Sequence, residues 1–129
     1  MDMTEEEKTL LLKDLTGRLP YGVICHSGES NCDGKLHFIN TLYNTVSLIT
    51  DKNTDKREVC SITDCKPYLR KMSSMTEEER KECNKLRLAG GMAINVADYC
   101  DWLNAHHFDY RGLIEMGLAL EAPNGMYNI

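Results

Sequence analysis

The chain has 129 residues, of which 42% are hydrophobic and 27% are charged, and this composition excludes wholesale disorder. Its net charge of -5 argues against general binding to polyanions. No apolar run approaches the roughly 20 residues of a membrane span, and the acidic N-terminus is unlike a signal peptide, so a cytoplasmic protein that does not bind membranes is expected.

The first predicted element is a helix over residues 4–16. Thr4 and Glu7 form a capping box, acidic residues fill the first turn, and leucines recur at helical spacing. Gly17 is expected to end the helix, and Pro20 prevents its continuation.

Short strands are predicted to follow the helix, separated by polar and turn-rich segments. Leu36 and Phe38 alternate with polar neighbours and are expected to face inward, while Pro67 fits an edge strand because it cannot donate to a ladder. The five strands cover residues 21–25, 35–39, 45–49, 58–62 and 66–70. Such a series predicts an antiparallel meander, either a small bent sheet or an SH3/Sm-like barrel.

Two longer helices are predicted in the C-terminal portion. Thr76 and Glu79 form a second capping box for a helix that runs to about Leu88 and is broken by Gly90-Gly91. Residues 96–105 form the next helix, with an apolar face that includes Val96 and Leu103.

The remaining C-terminal elements are short. Asp109 is expected to cap a helix over residues 110–116, before a possible strand over residues 118–120. The sequence therefore predicts one α+β domain over residues 1–129, with an N-terminal helix (1–19), a sheet or barrel (20–71) and a helical C-terminal portion (72–129).

Three phrases of the sequence carry a resemblance. They are LPYGV at residues 19–23, KPYLR and MSSMTEEE within residues 66–79, and DWLNAHHFDYRGLI and GLALEAP within residues 101–123. On these phrases the chain resembles a family of small uncharacterised proteins from gut Bacteroidetes and their prophages. Lys71, where the pattern suggests proline, and residues 82–95 depart from it. The resemblance transfers no catalytic residue and implies a noncatalytic accessory or host-interaction role.

The six cysteines raise the possibility of a metal site. Cys25, His26 and Cys32 lie around one loop, and Cys60 and Cys65 flank a turn, but neither spacing is that of a tight zinc knuckle. Without an export signal the thiols are expected to be reduced and mostly buried. Neither a metal nor a cofactor is predicted, and a zinc- or Cys/His-dependent site remains an alternative.

Cysteine catalysis is the enzymatic alternative. Cys100 lies close in sequence to His106 and His107, and a Cys–His pair needs hydrogen-bond proximity and an orienting acid. Because Cys100 shares its predicted helix face with Val96 and Leu103, it is interpreted as a core thiol, and no enzyme is predicted.

The densest mixture of aromatic, acidic and basic residues indicates a binding site. The predicted binding residues are Trp102, His106, His107, Tyr110 and Arg111. Two structural interpretations stay open: one histidine caps the helix, and Trp102 anchors the C-terminal helices onto the sheet.

A protein partner is expected, with a homodimer as one possibility. The main alternative is a nucleic-acid-binding barrel, because residues 34–88 hold 11 basic and 8 acidic side chains while both flanking regions are acidic. The phosphate-binding candidates would be Lys52, Lys56, Arg57, Lys66, Arg70 and Lys71.

Overall fold

The computed structural model describes residues 3–51, 53–89 and 96–127. It confirms the α+β prediction, with an N-terminal helix, a six-stranded open mixed sheet and C-terminal helices. The helices are α1 (Glu5–Arg18), α2 (Glu77–Ala89) and α3 (Val96–Ala105). The strands are β1 (Ile24–Ser27), β2 (Cys32–Asn40), β3 (Thr45–Asp51), β4 (Lys56–Ser61), β5 (Cys65–Leu69) and β6 (Leu120–Glu121).

The sheet is open but strongly curled. Its order is β4-β3-β2-β1-β5-β6, and only the β5–β6 pair is parallel. β4 and β6 lie at opposite ends of this order. Of the two predicted alternatives, the bent open sheet is therefore the one observed, and the barrel is not closed by backbone hydrogen bonds. The three residues of a 3₁₀ turn, Ile62–Asp64, lead from Ser61 to Cys65, so the Cα atoms of Ser61 and Cys65 lie no more than about 14 Å apart. A flat sheet would separate β4 from β5 by about 19 Å. The sheet therefore has to curl.

The prediction of an edge strand at residues 66–70 is wrong, because β5 lies between β1 and β6. Gly28 N–H donates to the Asp64 carbonyl at 2.9 Å, which marks a hydrogen-bonded pair between β1 and β5. Antiparallel pairs alternate, so the Cys25–Pro67 pair is not hydrogen-bonded. Pro67 therefore removes no bond from the β1–β5 ladder. Pairing with β6 begins only at Tyr68.

One face of the sheet forms the core together with α1. Leu11 and Leu15 of α1 are fully buried against it. The buried side chains that the sheet contributes include Cys25, Leu36, Val46, Leu48, Cys60, Cys65 and Leu69. The opposite face of β1–β5 carries half-buried and exposed side chains, and we call it the open face.

A β-bulge in β2 overturns the prediction that Phe38 faces inward. Leu36 pairs with Leu48, whereas Phe38 pairs with Ser47, so the register shifts by one residue at His37. Because side chains alternate between the faces of a sheet, the extra residue moves Phe38 to the open face. Its side chain is 47% exposed there.

The start of α1 is as predicted, but its end is not. Thr4 and Glu7 form both hydrogen bonds of the capping box. The helix continues through Gly17 to Arg18, so Gly17 is not its cap. A Cβ at residue 17 would lie 3.1 Å from the Asn104 side-chain nitrogen, and this close approach of α3 accounts for the glycine.

Arg18 ties the end of α1 to the C-terminal segment. Its guanidinium is fully buried and donates to both carboxylate oxygens of Asp14, at 2.7 and 3.1 Å. It also donates to the Phe108 carbonyl at 2.6 Å. Burial of such a pair is tolerated because the carboxylate and the carbonyl replace much of the lost water.

The predicted helix over residues 110–116 is a series of turns instead. Asp109 still accepts the N–H groups of Leu113 and Ile114, at 2.8 and 3.0 Å, as a cap would. The strand expected over residues 118–120 begins only at Leu120, as the two-residue β6, through which the C-terminal portion also joins the sheet. Within the described ranges, no helix is long and apolar enough to cross a membrane.

Candidate protein-binding surface

Exposed apolar side chains concentrate around one hairpin. Of the seven large hydrophobic residues exposed in the described part of the chain, four lie on β2, β4 and the β2–β3 turn. They are Phe38, Leu42, Tyr43 and Val59, and we call them the hairpin surface. Leu42 is 79% exposed and Tyr43 is 72% exposed. Clustered exposure of this kind marks interaction sites, whereas single exposed apolar residues do not.

The turn that carries Leu42 and Tyr43 is held in one conformation. The Asn40 side-chain oxygen accepts the N–H groups of Leu42 and Tyr43, at 3.0 and 3.2 Å. Asn44 adopts a φ of 53°, which asparagine tolerates better than most residues. Its carbonyl accepts the Ile62 N–H at 2.9 Å. Two large apolar side chains are therefore displayed to solvent on an ordered turn.

A shallow groove continues the hairpin surface across the open face. Phe38, Ser47 and Val59 are cross-strand neighbours in one row over β2, β3 and β4. The groove has a volume of about 260 Å³, and its lining includes Phe38, Val59, His37 and Arg57. An apolar centre with basic and polar neighbours is the anatomy of a protein interface.

The predicted binding residues Trp102 and His106 form an internal stack. Their rings lie 4.1 Å apart, and Trp102 also stacks on buried Phe108 at 5.8 Å. Trp102 is half-buried and donates from its indole to Glu82 of α2 at 3.0 Å. These contacts tie α3 to α2 and to the segment that follows α3, and the anchoring of the helices onto the sheet stays a prediction.

The other three predicted binding residues lie in two further places. Tyr110 donates to Asn104 at 2.9 Å, and Arg111 pairs with Asp14 at 3.3 Å. His107 is buried and stacks on Tyr127 at 3.7 Å. The five predicted residues therefore do not form one continuous surface, and their role in binding stays a prediction.

Three of the six cysteines lie where burial favours neither metal binding nor catalysis. Cys25, Cys60 and Cys65 meet in the core, where a hydrogen bond to the Cys65 thiol, together with burial, raises the pKa of Cys60. Protonated buried thiols are poor nucleophiles and poor ligands. Among the described residues, no group of three or more His, Cys, Asp or Glu side chains is arranged to hold a metal.

His26 belongs to a different cluster from its neighbour Cys25. On the open face, Asp33 Oδ1 accepts from the Tyr68 hydroxyl at 2.9 Å and contacts His26 Nδ1 at 2.8 Å. This cluster joins β1, β2 and β5, and only the strand register brings its members together. Sequence reasoning could not have assembled it from the spacing alone.

The basic candidates for phosphate binding are dispersed. Arg70 is bidentate to Glu79, at 2.7 and 2.8 Å, and Lys71 pairs with Glu121 at 3.5 Å. Lys66 and Arg57 lie on different strands, β5 and β4, and Arg57 pairs with Asp55 at 3.1 Å. Lys52 lies outside the described residues. The arrangement offers no continuous run of cations among the five described candidates.

Comparison with protein-family models, curated proteins and solved structures gives no match.

Because His107 is buried, we expect the stability of the protein to fall in mild acid. Burial first, then the charges of Arg18, Arg70 and His106, lower its pKa from 6.5 to about 4. In the unfolded chain His107 takes up a proton near pH 6.5, whereas in the folded chain it stays neutral until about pH 4. The contribution of neutral His107 to the free energy of unfolding is therefore fully present above pH 6.5 and is lost as the pH falls toward 4. We expect a loss of about 2 kcal/mol in unfolding free energy between pH 7 and pH 5.

Urea denaturation at the two pH values measures this loss. His107→Asn should remove it, because asparagine tolerates the φ of 63° at this position and does not titrate. His37→Asn, at an exposed histidine, is the matched control and should retain it. Equal pH dependence of the wild type and His107→Asn would contradict the assignment.

Proposed function

We propose that the protein is a noncatalytic binding protein that docks another protein on the hairpin surface. The observation that carries this proposal is the ordered exposure of Leu42 and Tyr43 beside Phe38 and Val59. Burying one such side chain contributes about 1.5–3 kcal/mol, so a partner that covers several of them gains substantial affinity. The exposed side chains are thus suited to act as binding anchors.

The charges beside the hairpin surface are mixed. Lys56 and Arg57 are exposed on β4, but Arg57 pairs with Asp55 at 3.1 Å and Glu58 follows on the same strand. Rim charges of both signs would orient a complementary partner on this surface. The resemblance to prophage proteins supports, as an association, an accessory role in a phage or mobile element.

Affinity capture with matched variants tests the proposal. Leu42→Ser with Tyr43→Ser removes two anchors from an exposed turn, so the fold should persist while partner binding weakens at least about 100-fold. Val96→Ser with Met116→Ser, at exposed apolar residues elsewhere, is the control and should bind as the wild type does.

A protein retained by the wild type and the control, but lost by the hairpin variant, supports the proposal. Equal retention by all three proteins would contradict it. So would tight binding of nucleic acid with a steep dependence on salt, which would favour the alternative function.

A further inference from the structure

We propose that a second copy of the chain pairs with the edge of β4, antiparallel to its own β4, with the two-fold axis at Val59. This inference rests on the proposed function, since Val59 belongs to the hairpin surface. Within the described part of the chain β4 pairs only with β3, so one side of the strand is an edge of the sheet. Such an edge is a template for another strand.

The β3–β4 ladder determines which backbone groups this edge presents. The Ile62 N–H binds the Asn44 carbonyl, directly after the Ser61–Thr45 pair. Because bonded and non-bonded pairs alternate, Glu58 and Cys60 direct their backbone groups to β3. The N–H and C=O groups of Arg57, Val59 and Ser61 therefore face outward.

Two identical edges fit best when Val59 lies opposite its own copy. Arg57 and Ser61 then lie opposite each other in both directions, and the three outward positions form six backbone hydrogen bonds. An axis at Glu58 would place two carboxylates face to face and use only the positions of Arg57 and Val59. An axis at Cys60 would leave Arg57 opposite Thr63, beyond the end of β4.

The side chains agree with this register on the open face. Val59, 64% exposed in the single chain, would pack against its copy and lose part of that exposure, while the open face above it stays accessible. The row of Phe38, Ser47 and Val59 would continue into the same row of the second copy. Apolar cross-strand pairs of this kind stabilise a sheet.

Charge also favours this register. Lys56, Arg57 and Glu58 occupy one half of β4, so antiparallel pairing sends the charges of the two copies to opposite ends. Arg57 meets Ser61, and Glu58 meets Cys60, so no like charges lie directly opposite each other. A parallel arrangement would align each charge with its copy.

Sedimentation velocity tests the dimer and its register. The wild type is expected to dimerise, whereas Val59→Asp and Val59→Lys each place like charges across the axis and should weaken the dimer at least about 100-fold. Mixing these two variants should restore association, because opposite charges then face each other. Val59→Thr, which keeps the branched shape, should remain dimeric.

A proline variant tests whether the edge of β4 forms the dimer. Val59→Pro removes an outward N–H and no hydrogen bond of the β3–β4 ladder, so it should abolish the dimer while circular dichroism shows an intact fold. A wild-type protein that stays monomeric at about 100 μM, a dimeric Val59→Asp, or a mixture that stays monomeric would overturn the inference. The Leu42→Ser, Tyr43→Ser protein should still dimerise, so failure of this inference and failure of partner docking are distinguishable.

Discussion

Asp14→Ala is expected to destabilise the protein by about 3–5 kcal/mol, because it leaves the Arg18 guanidinium buried without its carboxylate. Arg18 and Asp14 are both fully buried. The carbonyl of Phe108 would be the main remaining acceptor, and a carbonyl does not neutralise the charge. Urea denaturation followed by circular dichroism at pH 7 measures the effect.

The matched control replaces both members of the pair. Asp14→Leu with Arg18→Met removes both fully buried charges together and should be much less destabilising than Asp14→Ala alone. Arg111, which also pairs with Asp14, is partly exposed to water and needs no buried partner. A loss below about 1 kcal/mol for Asp14→Ala would show that the pair is not buried as the structure has it.

Arg70→Ala is expected to cost about 3–5 kcal/mol as well, because Arg70 connects three parts of the fold. Its guanidinium binds Glu79 at the start of α2, donates to the His106 carbonyl at 3.2 Å and lies 4.2 Å from the centre of the Phe108 ring. Arg70→Lys should not restore stability, since lysine cannot reproduce the bidentate and stacking geometry. Thermal and urea unfolding measure both variants.

A surface ion pair provides the control. Lys71 and Glu121 are both more than half exposed, so Lys71→Ala should change stability by less than about 1 kcal/mol. Similar losses for Arg70→Ala and Lys71→Ala would refute the buried role of Arg70.

The Arg70 hydrogen bonds lower the pKa of Glu79 from 4.5 to about 2. The stability from this carboxylate is therefore present above pH 4.5 and lost as the pH falls toward 2.

Local sequence signals predicted the three long helices well, although the short helix expected over residues 110–116 did not form. The capping box at Thr4 and Glu7 and that at Thr76 and Glu79 are both formed. The predicted span of α3 matches Val96–Ala105. Caps and periodicity act within a few residues, so the sequence displays them directly. The predicted break at Gly90-Gly91 lies outside the described residues.

Long-range packing accounts for the errors. The neighbours of β5 in the sheet depend on pairing between residues about 40 positions apart, which no local pattern reports. Val96 was expected on an apolar face but is 52% exposed. The sequence predicted Glu79 as part of a capping box. Its ion pair with Arg70 could be identified only from the folded structure.

The candidate surface was missed because alternation alone was applied to β2. Leu36 and Phe38 share one face in an unbroken strand, and the bulge at His37 is not encoded by a distinctive local motif. Leu42 and Tyr43 could have been noticed as two large apolar residues inside the short segment predicted to connect the strands over residues 35–39 and 45–49. That is the one local signal the sequence offered for this surface.

Hydrogen–deuterium exchange of the protein, alone and with the partner that it captures, tests the central claim most directly. Docking on the hairpin surface predicts that binding slows exchange at residues 37–47 and 56–61 and leaves the segment around Trp102 unchanged. Slowed exchange confined to residues 99–111, with the hairpin unaffected, would contradict the account.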